Sequence, residues 1–167
     1  FLLALVFIFL VLAAQFESFI HPLTIILSVP LAVVGALVAL LLFKQGLNIY
    51  SQIGLIMLIG LVTKNAILIV EFANQLRERG MGIREAVEEA AKTRLRPILM
   101  TSFATVFGIL PIAIGLGAGA ESRRPLGVAV VGGLLFSTFM TLIVVPVVYT
   151  LLGRFTGVKV KTEKKAA

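Results

Sequence analysis

Long apolar runs, almost free of charge, constrain this chain more than any other feature. Residues 22–43 and 126–152 each exceed the ~20 residues with which a helix crosses a ~30 Å hydrocarbon core. A helix on the surface of a soluble protein would show one polar face, and these runs show none. Only 14% of the chain is charged, about half the share in an ordinary soluble domain. The sequence therefore predicts an all-α membrane protein.

Five apolar segments predict a bundle of five transmembrane helices. The loop before the fourth segment carries apolar residues at helical spacing, which predicts a short amphipathic helix at 82–95. This helix would lie at the cytoplasmic interface or serve as a solvated connector, and Pro97 is expected to separate it from the next span. The predicted spans are residues 1–14, 22–43, 53–73, 97–116 and 126–152, and a basic tail follows at 153–167.

The first segment is short for a span and opens without a Met, so we expect the chain to be a fragment whose N-terminal part is missing. Basic residues predict its orientation. Five alternating spans put residues 15–21, 74–96 and the tail on one side, with eleven of the fifteen Lys and Arg residues. The positive-inside rule assigns that side to the cytoplasm. The net charge of +7 thus reports topology, and nucleic acid is not an expected partner.

Lys64 lies near the middle of the third span. A charge at that depth costs ~3 kcal/mol on insertion scales, so such residues face protein or a watery cavity and have a partner. A fixed ion pair that locks helices together is the structural alternative. A functional role for Lys64 is favoured over a structural ion pair, because buried ion pairs contribute little net stability.

No carboxylate of the chain lies at the depth of Lys64. Glu71 is two turns away, near the predicted cytoplasmic end of the same span. We therefore expect an Asp or Glu from another part of the protein to pair with Lys64.

Other polar residues lie near Lys64 in the predicted bundle. Asn65 adjoins it, and Arg94 shares a helix face with Thr101, so that the two would line a path toward the cytoplasm. For the hydroxyls of the fourth span, hydrogen bonds to the carbonyls of their own helix are an equal alternative. For Arg94 the alternative is a membrane-interface anchor. These hydroxyl residues are Thr101, Ser102 and Thr105.

Nothing in the sequence predicts an enzyme, a metal site or a cofactor. The chain has no Asp or Cys, and its single His21 adjoins Pro22 at a span end, which leaves neither a metal cluster nor a nucleophile–base pair. It also has no Gly-rich phosphate loop, so ATP is not the expected energy source.

Four motifs of the chain are long enough to be specific. They are QFESFIHPL (15–23), GLVTKNAILIVEFANQLRERG (60–80), RLRPILMTS (94–102) and GAGAESRRPLGVAVVGGL (117–134). They resemble motifs of resistance-nodulation-division (RND) efflux permeases, most closely the hydrophobe/amphiphile branch that exports drugs and detergents. The resemblance implies the last five of twelve transmembrane helices, preceded by a periplasmic domain. It also implies that the protein works in the bacterial inner membrane as a homotrimer, with a periplasmic adaptor and an outer-membrane channel.

The resemblance also implies a proton relay. Lys64, Thr101 and Arg94 match the relay residues of the family, whose two aspartates belong to the other half of such a permease. Asn65, Ser102 and Thr105 are expected to support the relay. The hypothesis is a proton-driven antiporter of drugs or other amphiphiles, with protons as the coupling ion. The alternatives are an RND relative with another cargo (a lipid, a metal ion or a protein) and a non-transporting membrane scaffold.

Overall fold

A computed structural model describes residues 2–16 and 20–152, and within these ranges the chain folds into helices without strands. The predicted all-α membrane bundle is confirmed. The basic tail at 153–167 lies outside the described residues. The helices are α1 Leu2–Phe16, α2 Ile20–Ile26, α3 Ser28–Leu42, α4 Ile49–Glu78, α5 Ile83–Ile114 and α6 Ala120–Leu152.

Within the described residues, four helical stretches are long and apolar enough to cross a membrane. They are His21–Leu42, with 22 residues, and α4, α5 and α6, with 30, 32 and 33. Helix α1 has 15 residues and is therefore only about 22 Å long at ~1.5 Å per residue.

Helices α2 and α3 form the first of these long spans. A single turn at Leu27 separates them, and the Leu27 N–H still donates to the Leu23 carbonyl at 3.1 Å. Pro30 explains the interruption, because it lacks an N–H and its ring clashes with the carbonyl four residues earlier, that of Ile26.

The predicted break before Pro97 is wrong. The amphipathic segment and the fourth span are one continuous helix, α5, with Pro97 and Pro111 inside it. Pro97 also lacks an N–H and its ring opposes the carbonyl four residues earlier, but the first part of α5 is held in place by its buried face. Ala86, Val87 and Ala90 are buried there in a core cluster shared with α4 and α6.

Helices α4 and α6 also begin earlier than the apolar runs predict. A capping box starts α4: the Asn48 side chain accepts from the Ser51 N–H at 2.9 Å, and the Ser51 hydroxyl oxygen accepts from the Asn48 N–H at 2.8 Å. Such boxes satisfy two free backbone donors at a helix start. Helix α6 includes Arg123 and Arg124, which the sequence reasoning put in a loop.

Helix α6 is the central element and packs against α2, α3, α4 and α5. Glycines on α6 permit the close approach. A Cβ atom added at Gly132 would overlap Ala39 of α3, and one added at Gly133 would overlap Leu58 of α4. Small residues at helix interfaces are the usual means of packing in lipid, where no hydrophobic drive brings helices together.

Candidate functional site

Lys64 lies fifteen residues after the start of α4 and fourteen before its end, about 21–22 Å from each end at ~1.5 Å per residue. Its side chain is on the exposed face of α4, away from the core. A groove of about 390 Å³ between α1 and α4 borders it on one side and is lined mainly by apolar residues. The structure thus places this charge midway along α4, on a surface that lipid or another protein element would cover in a membrane.

No ion pair to Lys64 forms within residues 2–16 and 20–152. The salt bridge found there joins Arg84 to Glu88 at 3.5 Å, near the start of α5. Glu71 is exposed on α4, seven residues and about 10 Å along the helix from Lys64. A carboxylate partner for Lys64 would have to come from outside the described residues.

A small recess of about 30 Å³ lies beside Lys64, where α4, α5 and α6 meet. It brings together five of the six predicted site residues, and the apolar side chains of Leu61 and Leu134 complete its wall. Its volume leaves room for a water molecule. The five are Lys64, Asn65, Thr101, Ser102 and Thr105.

Two of the hydroxyls bond within their own helix. Thr101 Oγ1 donates to the Ile98 carbonyl at 3.1 Å, and Thr105 Oγ1 donates to the Thr101 carbonyl at 2.8 Å. This is the alternative that the sequence reasoning left open for them. Because each hydroxyl has one proton, both oxygens can still accept hydrogen bonds from a donor in the recess.

Ser102 instead bonds across helices. Its Oγ lies 3.4 Å from Asn65 Nδ2 on α4 and 3.0 Å from Thr138 Oγ1 on α6. Thr138 in turn donates to the Leu134 carbonyl at 2.7 Å. Asn65, Ser102 and Thr138 are all buried. A polar chain therefore connects the three long helices beside Lys64.

Arg94 lies elsewhere. It is half-buried on α5, seven residues before Thr101, and is not among the residues that line the recess. Its guanidinium carbon sits 4.6 Å from the centroid of the Phe72 ring, which is a cation–π distance. Its Nε atom is buried and finds no hydrogen-bond partner in the described part of the chain. The structure thus joins Arg94 to α4 through Phe72 rather than through Lys64.

The sequence model of the AcrB/AcrD/AcrF family matches residues 1–153 of the 167. The chain belongs to this family. Its members are RND permeases, which are transporters rather than enzymes. With four apolar helices of spanning length in the part of the chain that the structure describes, this RND-type transporter chain is a multi-pass membrane protein.

The permease chain has a second polar cluster that the sequence reasoning missed. Tyr149 near the end of α6 accepts a hydrogen bond from Arg77 Nη1 at 3.2 Å and donates to Asn74 Oδ1, both near the end of α4. The His21 ring at the start of α2 stacks on the Tyr149 ring.

This second cluster brings three chain segments to one end of the bundle. They are the start of α2, the end of α4 and the end of α6, which charge had assigned to one side of the membrane. A signal was present in the sequence, because each of the cluster's polar residues falls at the end of an apolar run. Their pairing could not be inferred from spacing.

Proposed function

We propose that this chain is the C-terminal transmembrane part of a proton-driven RND efflux permease, a substrate/proton antiporter that exports drugs or other amphiphiles. The carrying observation is the position of Lys64. It lies midway along α4 on the exposed face of this helix, with no carboxylate of the described residues in reach.

A lysine in that position needs a carboxylate, since an unpaired charge at the bilayer centre is costly. In the proposal, aspartates of the other half of the permease cover this face of α4 and pair with Lys64. Protonating them neutralises their charge and weakens their attraction for the ammonium. Two states of the bundle then differ in proton affinity, which is the condition for a proton gradient to drive one into the other.

Thr101 is proposed to belong to this relay with Lys64, and Asn65, Ser102 and Thr105 are proposed to support it from the recess. The recess offers hydroxyl oxygens as acceptors to a hydrogen-bond donor, either the Lys64 ammonium or a bridging water. Arg94 is proposed to act on the cytoplasmic side of the relay, since it lies about two turns from Thr101 along α5.

The remaining parts of the proposal follow family resemblance and charge distribution. Protons are the coupling ion, and no cofactor is invoked. The complete permease acts as a homotrimer in the bacterial inner membrane, with a periplasmic adaptor and an outer-membrane channel. The C-terminus lies in the cytoplasm, because the basic residues concentrate on that side.

The test compares Lys64→Ala with Lys44→Ala in the complete permease. Lys44 is exposed just after the end of α3 and provides a matched control for losing one positive charge. Drug export from cells should be lost in Lys64→Ala and retained in Lys44→Ala, with both proteins made in normal amounts.

Export that persists in Lys64→Ala would contradict the proposal. Loss of assembly together with export would favour the scaffold alternative, in which Lys64 only joins subunits. Export of lipids or metal ions in place of drugs by the unaltered permease would refute the proposed cargo.

A further inference from the structure

The polar chain beside Lys64 has a direction, which the proton of Thr138 sets. This hydroxyl donates its single proton to the Leu134 carbonyl at 2.7 Å. At the 3.0 Å contact between Ser102 and Thr138, the Thr138 oxygen must therefore accept, and Ser102 must donate.

Counting donors and acceptors in the same way gives the orientation of the Asn65 carboxamide. Because Ser102 gives its proton to Thr138, the Ser102 oxygen can only accept from Asn65. The Asn65 group that faces it at 3.4 Å is thus the NH₂, an assignment that rests on the hydrogen-bond network. The carboxamide oxygen of Asn65 is left as an acceptor for other groups.

The three side chains that form these hydrogen bonds are buried. Asn65 and Ser102 are each 5% exposed and Thr138 is 3% exposed, so these side chains have little contact with bulk water. In such surroundings a satisfied polar network is rigid, and an unsatisfied group is costly. Asn65 follows Lys64 directly in the sequence, and both side chains line the 30 Å³ recess.

We propose that Thr138 and Ser102 are positioning residues for the proton relay, acting through Asn65. They hold the Asn65 carboxamide with its oxygen available to the donor in the recess, which is Lys64 or a water bound to it. This inference rests on the proposed function. Helix α6 then influences the hydrogen-bonding groups around Lys64, because Thr138 is the residue of α6 that bonds to Ser102.

Loss of the Thr138 hydroxyl would be transmitted in steps. Ser102 would lose its acceptor on α6, and its proton would be free to turn to Asn65. The Asn65 carboxamide would then be free to flip, with its oxygen toward Ser102 and its NH₂ group toward the recess.

Helix α6 offers a matched control one turn away. Thr141 is also buried, and in the described helices its hydroxyl oxygen has no hydrogen-bond partner. A Thr→Val change keeps the shape and removes the hydroxyl at either position. Thr138→Val removes the hydrogen bond between Ser102 and Thr138, whereas Thr141→Val removes no hydrogen bond.

The experiment measures proton-driven efflux by the complete permease over a range of pH. We expect Thr138→Val to lower the initial rate ~5-fold, which corresponds to about one buried hydrogen bond, and to change the shape of the pH profile. Thr138→Ser should restore the rate and the profile. Thr141→Val should match the unaltered protein.

A double variant separates a positioning role from a structural one. If Thr138 acts through Asn65, the variant with both Asn65→Ala and Thr138→Val should be no slower than Asn65→Ala alone. Independent, multiplying losses would overturn the inference, and so would a Thr138→Val protein that behaves like Thr141→Val.

Two further variants keep the test decisive. If Thr138→Val does not fold, Ser102→Ala breaks the same chain from α5. Its control is Ser137→Ala, since the buried Ser137 hydroxyl donates to the Leu134 carbonyl of its own helix. Ser102→Ala should change the pH profile and Ser137→Ala should not; equal behaviour overturns the inference. Lys64→Ala, measured in parallel, tests the proposed function separately: if it still exports with proton coupling, the relay itself is wrong.

Discussion

The His21 ring stacks on the Tyr149 ring, with centroids 5.6 Å apart and planes 15° apart. The contact joins the first long span to the central helix α6. The Tyr149 hydroxyl extends the connection to α4 through Arg77 and Asn74. Aromatic stacking and two hydrogen bonds thus hold three helices together at one end of the bundle.

Replacing Tyr149 with Phe should destabilise the protein while leaving the stack in place. The change removes a hydroxyl that bonds two buried or half-buried partners, and an unsatisfied buried polar group costs about 1–3 kcal/mol. Thermal unfolding of the purified permease in detergent measures the loss. Tyr50→Phe is the control, because Tyr50 is 39% exposed at the start of α4. Equal midpoints for the two variants would contradict the assigned role of Tyr149.

Adding a methyl group at Gly133 should loosen the packing of α6. The new Cβ would overlap the Leu58 side chain and lie 3.0 Å from the Ala32 carbonyl oxygen. Overpacking of this kind costs about 1–3 kcal/mol. Gly108→Ala on α5 is the control, since no described atom lies within 4 Å of its added Cβ. Gly133→Ala should lower the thermal midpoint and Gly108→Ala should not; the reverse order would refute the assigned packing.

Phe72→Leu should destabilise the bundle more than the same change at an exposed site. The half-buried Phe72 ring lies under the half-buried Arg94 guanidinium, and a cation–π contact contributes about 0.5–2 kcal/mol from exposed to desolvated sites. Phe103→Leu on α5 serves for comparison, because Phe103 is 46% exposed. Unfolding midpoints of the two variants give the answer, and no difference between them would show that the contact is not stabilising.

The sequence predicted the polar residues that line the recess but not all of their contacts. Lys64 and Asn65 are neighbours, and the hydroxyls of α5 recur at helical spacing, so local patterns were enough to group them. The partner of Ser102 was not predictable, because Thr138 lies on another helix and looks like any small residue of a membrane span. The stack of His21 on Tyr149 was missed for the same reason, since the two come from opposite ends of the chain.

The predicted helix boundaries were wrong where tertiary packing outweighed a local sequence rule. A proline usually marks a helix boundary. At Pro97, however, the buried face around Ala86 and Ala90 keeps α5 continuous. Arg94 was predicted on the face of Thr101, and the structure adds the ring of Phe72 beneath it. Helical periodicity gives the face of a residue, whereas its contacts depend on which helix packs there.

The most direct test of the central claim is a measurement of proton movement. The complete permease is reconstituted in vesicles with a pH-sensitive dye inside, and substrate is added to the side from which it is exported. The account predicts that substrate drives proton flux in the unaltered protein and in Lys44→Ala, and that Lys64→Ala carries none. Substrate-dependent proton flux that survives in Lys64→Ala would contradict the assignment of Lys64 to the proton-coupling device.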